Sequence, residues 1–155
     1  MDTILYQKLL FRTAMCVMTC DGEIHKSEIA EMEVSFKSTD FFRDLIFEDE
    51  ISEFLEEFKK DVQSCSFNLV KRLSAASLNP VQELQIMELA LRITYADNRI
   101  DENEIKFLNI LKSKLNIHDE VLRNRFGEVL FLNISDAITP RSDGAKESAK
   151  GMATI

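Results

Sequence analysis

The sequence contains the same segment twice, and this internal repeat constrains the fold more than any other feature. Residues 10–34 and 86–110 align without a gap, and each residue of the second copy lies 76 positions after its counterpart. Both copies contain the pattern D-[GN]-x-I-x-x-x-E-I, which begins at Asp21 in the first copy and at Asp97 in the second. A duplicated segment of this length indicates that one supersecondary unit is used twice in the same fold.

Apolar residues flank each copy of the motif at helical spacing. Upstream of the first motif, Leu10 and Ala14 belong to one apolar stripe, and the second copy repeats this stripe. Downstream of the first motif, Met32, Val34 and Phe36 form a second apolar face. Each motif therefore joins two helices, and the spacing predicts an all-α fold built from two related helix-turn-helix halves.

Other amphipathic segments complete a predicted bundle of six or seven helices without a strand. Glycine and proline are scarce, at 4 and 2 residues, which favours helices over a turn-rich β protein. The sequence predicts four helices with the following approximate bounds: Asp49–Asp61, Phe67–Ala76, Pro80–Tyr95 and Asp119–Leu130.

The length of 155 residues suits one domain with a hydrophobic core. Residues 1–138 are expected to form this helical domain. Residues 139–155 are small, polar and without periodicity, so we expect a disordered C-terminal tail.

Charge and composition exclude several classes of function. The chain has 27 acidic and 19 basic side chains, and a net charge of −8 repels nucleic acid. The sequence has no window of 18 uninterrupted apolar residues, so we expect no direct membrane insertion. The apolar N-terminal residues also lack the preceding basic segment of a secretion signal. The odd count of three cysteines favours free thiols. We therefore expect a cytoplasmic protein.

The residues of each motif suit the join between two helices. Gly22 and the equivalent Asn98 can adopt positive φ and end the incoming helix. In the second copy, Asp101 is a good N-cap residue and Glu104 stands at the position that completes a capping box. The first copy keeps the glutamate but has His25, a poor cap, in place of the aspartate. Helix capping alone is thus one interpretation of the motif.

The second interpretation is a divalent-cation site. The spacing matches the second half of an EF-hand loop, but the first two ligand positions would be Val17 and Thr19, so an EF-hand is excluded. Hard ions such as Ca²⁺ prefer several carboxylate oxygens, and one motif supplies too few. A usable site requires both motifs to face each other. The ligand candidates are then Asp21, Glu28, Asp97 and Glu104.

A soft-metal site is a rival to the carboxylate site. Cys16 and Cys20 lie one helical turn apart, with His25 beyond them, and these residue types bind Zn²⁺ or Cu⁺. The second copy has Arg92 and Ala96 in place of the two cysteines, which weakens this hypothesis. No recognisable catalytic motif accompanies any of these residues, so we expect a protein that is not an enzyme.

The two segments MCVMTCDGEIHKSEIAEM and LRITYADNRIDENEIKFL resemble the signature segments of the TerB-like, or tellurite-resistance TerB, family. The resemblance extends over about Leu5 to Phe131. It implies an all-α bundle of two related halves, with an acidic patch that binds divalent metal where the motifs meet. By position, the implied ligands are Asp21, Glu28, Asp97 and Glu104, with Asp101 at the periphery.

The resemblance also implies a role in the bacterial stress response to tellurite and other chemical insults, with protein partners at the inner membrane and without catalysis. Asn98 departs from the glycine that the family usually has at this position. Two hypotheses therefore remain open. One is a metal-responsive protein that binds a divalent ion, with Ca²⁺ as the leading candidate. The other is a metal-free interaction module, similar to an adaptor or co-chaperone, whose acidic surface docks a basic partner.

Overall fold

Seven helices make up the regular structure of the chain in a computed structural model that describes residues 2–96 and 100–127. No strand occurs within these two ranges, so the predicted all-α fold is confirmed. The helices are α1 (Thr3–Met18), α2 (Lys26–Ser38), α3 (Phe47–Lys60), α4 (Val62–Ala75), α5 (Pro80–Ala96), α6 (Glu102–Lys114) and α7 (Asp119–Phe126).

The start of α4 differs from the prediction. The helix begins at Val62, whereas the sequence pattern placed its start at Phe67. The Asp61 carboxylate accepts a hydrogen bond from the Gln63 backbone N–H at 3.1 Å and so caps a helix that starts earlier. The same residue ends α3, because its own N–H donates to the Glu57 carbonyl at 3.2 Å.

The described residues fall into two units, with the boundary between residues 116 and 117. Helix α7 belongs to the second unit and ends at Phe126, earlier than the predicted end at Leu130, which lies outside the described residues. The end of α7 is set by Gly127, which has a φ of 73° and donates its N–H to the Arg123 carbonyl at 2.8 Å. The predicted boundary between residues 138 and 139 also lies outside the described residues and stays a prediction.

Helix α1 is the central element of the first unit. It packs against α3, α4, α5 and α6, and residues 9–17 are all buried. A helix that is buried on every side has no face left for polar residues to point to solvent. The polar residues in the buried part of α1 therefore lie in the core, where they need hydrogen-bond partners.

A cluster of aromatic rings holds α2 and the segment before α3 against α1. The Phe11 ring lies 5.8 Å from the ring centre of Phe36, 6.0 Å from that of Phe42 and 6.3 Å from that of Phe47. All three pairs are edge-to-face, the arrangement favoured by aromatic quadrupoles. Val34 was expected on the same apolar face but is 69 % exposed, so α2 contacts the core through a narrower stripe.

Two hydrogen bonds attach the segment between α2 and α3 to the central helix. The Gln7 amide Nε2 donates to Asp44 Oδ2 at 2.8 Å, and Gln7 Oε1 accepts the Asp44 backbone N–H at 2.9 Å. Gln7 is buried, and both ends of its amide have a partner in this arrangement. This segment therefore has a fixed position on α1.

Arg12 is the charged side chain of α1 that lies inside the fold, with 8 % of its side chain exposed. Its Nη1 lies 3.1 Å from Glu57 Oε2, and its Nη2 lies 3.3 Å from Glu53 Oε1. The guanidinium also lies over the Phe54 ring, 5.6 Å from its centre. These contacts fix the position of α3 along α1.

No helix in residues 2–96 and 100–127 is both long enough and apolar enough to cross a membrane.

Replacing Arg12 by Met should destabilise the fold by about 3 kcal/mol, because Glu57 would remain half-buried without its main positive partner. Urea unfolding followed by circular dichroism measures this change. Arg43→Met is the matched control, because Arg43 is exposed, and it should change the free energy of unfolding by less than about 0.5 kcal/mol. Equal effects of the two substitutions would contradict the structural role of Arg12.

The same ion pair predicts a dependence of stability on pH. Burial alone would raise the pKa of Glu57, but the Arg12 charge and the hydrogen bonds from Asn68 and Arg12 outweigh burial and lower that pKa. A lowered pKa in the folded state stabilises the fold above about pH 4.3, the pKa of glutamate in the unfolded chain. This contribution is lost as the pH falls through the folded-state pKa. Between pH 5 and 3, the native chain should therefore lose stability more steeply than Arg12→Met, as measured by urea unfolding.

Candidate functional site at the two helix junctions

The first junction turns at Gly22, between α1 and α2. Gly22 has a φ of 88°, as the sequence predicted, and Asp21 Oδ1 accepts the Glu23 backbone N–H at 3.0 Å. A Cβ atom at Gly22 would lie 3.8 Å from Val62 Cγ1, which is an ordinary van der Waals distance. Glycine is required here by the positive φ and not by lack of space.

Glu28 supports the start of α2 in the first junction. Its Oε1 accepts the backbone N–H of His25, the N-cap residue, at 2.9 Å. The Glu28 backbone N–H donates to the His25 carbonyl at 3.0 Å, and the His25 ring lies 3.9 Å from a Glu23 carboxylate oxygen. The glutamate at this position therefore has a local structural role even though the N-cap residue is a poor one.

The second junction contains the capping box that the sequence predicted. Asp101 Oδ1 accepts the Glu104 backbone N–H at 2.9 Å, and Glu104 Oε1 accepts the Asp101 backbone N–H at 3.0 Å. Glu104 is buried, whereas Asp101 is exposed. Asp97 and Asn98, the turn residues of this junction, lie outside the described residues.

The helices that precede the two junctions, α1 and α5, pack against each other. Near the start of α1, the Tyr6 hydroxyl donates to Gln85 Oε1 and lies 3.4 Å from the Gln82 carbonyl oxygen. Burial of this hydroxyl raises the pKa of Tyr6 to about 12, so it remains a donor at neutral pH. The pairing of equivalent helices is the reason that the two junctions approach each other.

The charges of carboxylates from both junctions raise the pKa of the Cys20 thiol. Burial is the main cause that raises the pKa of Cys20 to about 12, and the charges of Glu104, Asp101 and Asp21 raise it further. Coulomb interactions weaken with distance, so these three carboxylates lie within electrostatic range of the same sulfur atom. We call Cys20, Asp21, Asp101 and Glu104 the acidic corner.

The acidic corner does not form a complete metal site from the described residues. Within residues 2–96 and 100–127, no three His, Cys, Asp or Glu side chains are close enough together to hold a metal ion. The four-carboxylate site also requires Asp97, which lies outside these ranges. The ligand set of Asp21, Glu28, Asp97 and Glu104 therefore stays a prediction.

The burial of two cysteines weighs against the rival soft-metal site. All three are free, as the odd count suggested, and Cys16 and Cys65 are buried. Burial, followed by the neighbouring Cys65 thiol, raises the pKa of Cys16 to about 12. Metal ligation requires the thiolate, and burial of this kind disfavours it. Cys16 and Cys65 behave as core residues.

A further charged region, which the motifs do not indicate, lies on the surface shared by α1 and α3. Lys8 Nζ lies 3.1 Å from Glu50 Oε2 and 4.0 Å from Glu53 Oε2. The signal was present in the sequence, because Asp49, Glu53 and Glu56 recur at the spacing of one helical face.

The two N-caps allow a matched test of capping. His25→Ser should stabilise the fold by about 1 kcal/mol, because serine is a preferred N-cap residue and histidine is not. Asp101→Ala should destabilise it by about 1 kcal/mol through loss of the existing bond. Thermal unfolding should show Tm shifts of about 3 °C in opposite directions. Shifts of the same sign would contradict this account of the junctions.

Comparison with known proteins supports the family resemblance. A family model described as tellurite resistance protein TerB matches residues 10–125, which is most of the chain and includes both motifs. Neither the curated proteins nor the solved structures contain a significant match. The matched region covers α1 from Leu10 through most of α7. The chain belongs to the TerB family.

Proposed function

We propose that this TerB-family protein is not an enzyme and that it binds a divalent cation, Ca²⁺ in the first instance, at the acidic corner. The observation that supports this function is that Asp21, Asp101 and Glu104, from two separate junctions, all raise the pKa of Cys20. Carboxylates gathered in this way repel one another, and a bound cation offsets that repulsion. Bound Ca²⁺ would also strengthen the contact between the two halves of the repeat.

The proposed ligands are oxygen atoms that both junctions contribute. Asp21 is exposed, and its Oδ1 accepts one hydrogen bond from the Glu23 N–H. A carboxylate has about four lone-pair positions, so one such bond leaves capacity for a metal ion. Asp97, as the turn residue equivalent to Asp21, is proposed as the next ligand. Glu28 stays a predicted ligand on the basis of its position in the motif.

We further propose a role in the bacterial response to tellurite and related chemical stress, with protein partners at the inner membrane. This proposal rests on the family.

A second candidate function is that of a metal-free interaction module whose acidic surface docks a basic partner. It is favoured by the hydrogen bonds of Glu28, Asp101 and Glu104, since capping alone gives these motif residues a structural role.

Cys20 provides an internal reporter for cation binding. Burial and then the surrounding carboxylates raise the Cys20 pKa, so bound Ca²⁺ should remove part of the carboxylate contribution, lower that pKa and increase the thiolate fraction. We expect the rate of Cys20 alkylation by iodoacetamide at pH 8.5 to rise several-fold with Ca²⁺, compared with Na⁺ at equal ionic strength. Cys16 and Cys20 share one tryptic peptide, so tandem mass spectrometry with fragmentation between them assigns the alkylated site. The rates of Cys16 and Cys65 should not change.

Two variants make the test specific. Glu104→Gln preserves the capping position but removes one charge, so it should raise the rate without Ca²⁺ and reduce the effect of Ca²⁺. Glu31→Gln removes an exposed charge on α2 and is the matched control. Calorimetry with Ca²⁺ on the native chain and on the double variant Glu28→Gln, Glu104→Gln gives an independent measurement. Equal heats for these two proteins, together with a Cys20 rate that does not respond to Ca²⁺, would contradict the proposal.

A further inference from the structure

Helix α3 presents a row of acidic side chains beside α1, away from the two junctions. Asp49, Ser52, Glu53 and Glu56 recur at intervals of three and four residues, which places them on one face of the helix. Together with Lys8 and Glu50 they line an open cleft of about 430 Å³. We call this the α1–α3 cleft.

The inner wall of the cleft is the carboxylate of Glu50, which is 4 % exposed. Its Oε2 lies 3.1 Å from Lys8 Nζ. Its Oε1 is buried and has no hydrogen-bond partner among the described residues. A buried carboxylate oxygen without a donor is energetically costly, since buried polar atoms are normally paired. The inner wall of the cleft therefore keeps acceptor capacity that the described residues do not use.

The outer wall of the cleft has an excess of negative charge. Asp49 and Glu56 are exposed and make no ion pair with any described residue. Glu53 is 58 % exposed even though Lys8 and Arg12 approach it. Lys8 is the one cationic side chain among the lining residues, against four carboxylates. The cleft therefore attracts a cationic group.

A single metal ion does not match this arrangement. Residues 49 and 56 are separated by two helical turns, roughly 10 Å along the axis. No three acidic, His or Cys side chains in the described ranges are close enough together for one ion. The fitting ligand is a cation with several donors at different positions.

The fold already contains an example of such a cation, because Arg12 of α1 binds carboxylates of the same helix α3. The Arg12 guanidinium contacts Glu53 and Glu57, which lie one turn apart on α3. A guanidinium has five N–H donors in a planar fork, so it can serve two carboxylates at once. We propose that the α1–α3 cleft binds an arginine side chain from a basic segment of a partner protein.

In this arrangement the guanidinium donates to Glu53 and to an exposed carboxylate one turn away from it, Asp49 or Glu56, as Arg12 does with Glu53 and Glu57. The proposal rests on the second proposed function, docking of a basic partner, and adds the surface and the chemical group that is recognised. It does not depend on cation binding at the acidic corner.

The test uses the full chain and a fluorescein-labelled peptide in which three arginines are separated by pairs of glycines. Fluorescence anisotropy measures its Kd for the native chain and for the double variant Asp49→Asn, Glu56→Gln. Both residues are exposed, so the variant should fold, and circular dichroism verifies this. We expect the double variant to weaken binding about fivefold, because two exposed charge contacts are lost.

The matched control is the double variant Glu23→Gln, Glu31→Gln, which changes the net charge equally on an exposed surface elsewhere and should alter the Kd less than twofold. A peptide with lysine in place of arginine should bind the native chain several-fold more weakly. NMR shift changes on addition of the arginine peptide should concentrate on residues 49–56 of α3.

Equal losses in the two double variants would overturn the cleft as the docking site while leaving partner docking intact. Equal affinity for the lysine and arginine peptides would overturn guanidinium recognition. Absence of binding by either peptide would overturn both this proposal and docking of a basic partner. If spermine bound with a dependence on Asp49 and Glu56 that the arginine peptide lacked, the cleft would be a polyamine site and the proposal would be wrong.

Discussion

The contact between α1 and α5 is the interaction on which the rest of the structure depends. These are the equivalent helices of the two repeated segments, and each leads directly into a junction. When they pack together, the junctions that follow them are brought near each other, and Cys20 senses carboxylates from both. The acidic corner is therefore a consequence of how the duplicated unit packs. A rearrangement of α1 against α5 would separate the carboxylates without changing either motif.

Placing α1 at the centre of the first unit has an energetic consequence. Gln7 and Arg12 are carried into the core, and each needs partners that an isolated helix does not have. Asp44 supplies both hydrogen bonds for Gln7, and two glutamates of α3 supply the charges for Arg12. These polar contacts add little net stability compared with apolar packing, but they are directional. They fix the positions of α3 and of the preceding segment on α1, which apolar contacts alone would specify less strictly.

Much of the fold could be predicted from local patterns, because local interactions decide those features. The positive φ of Gly22 and the capping box of Asp101 and Glu104 depend on a few neighbouring residues. Tertiary contacts decide the features that were missed. The exposure of Val34 follows from the narrow stripe by which α2 meets the core, and the charge of Arg12 gave no sign in the sequence that the residue is buried.

The same distinction between local interactions and tertiary contacts applies to the candidate site. The sequence identified the motif carboxylates, but only the folded chain relates Asp21 to Asp101 and Glu104 through their common effect on the pKa of Cys20.

Helix capping and the proposed cation binding are compatible roles for the motif carboxylates. The start of α4 lies beside Gly22, and α6 starts at the second junction, so two helix N-termini with partial positive charge adjoin the corner. Their dipoles offset part of the carboxylate repulsion and so stabilise the corner without an ion. The same dipoles weaken its attraction for a cation, because they reduce the net negative potential. For the proposed cation, a corner built in this way would favour reversible binding over permanent occupancy, which needs more uncompensated charge.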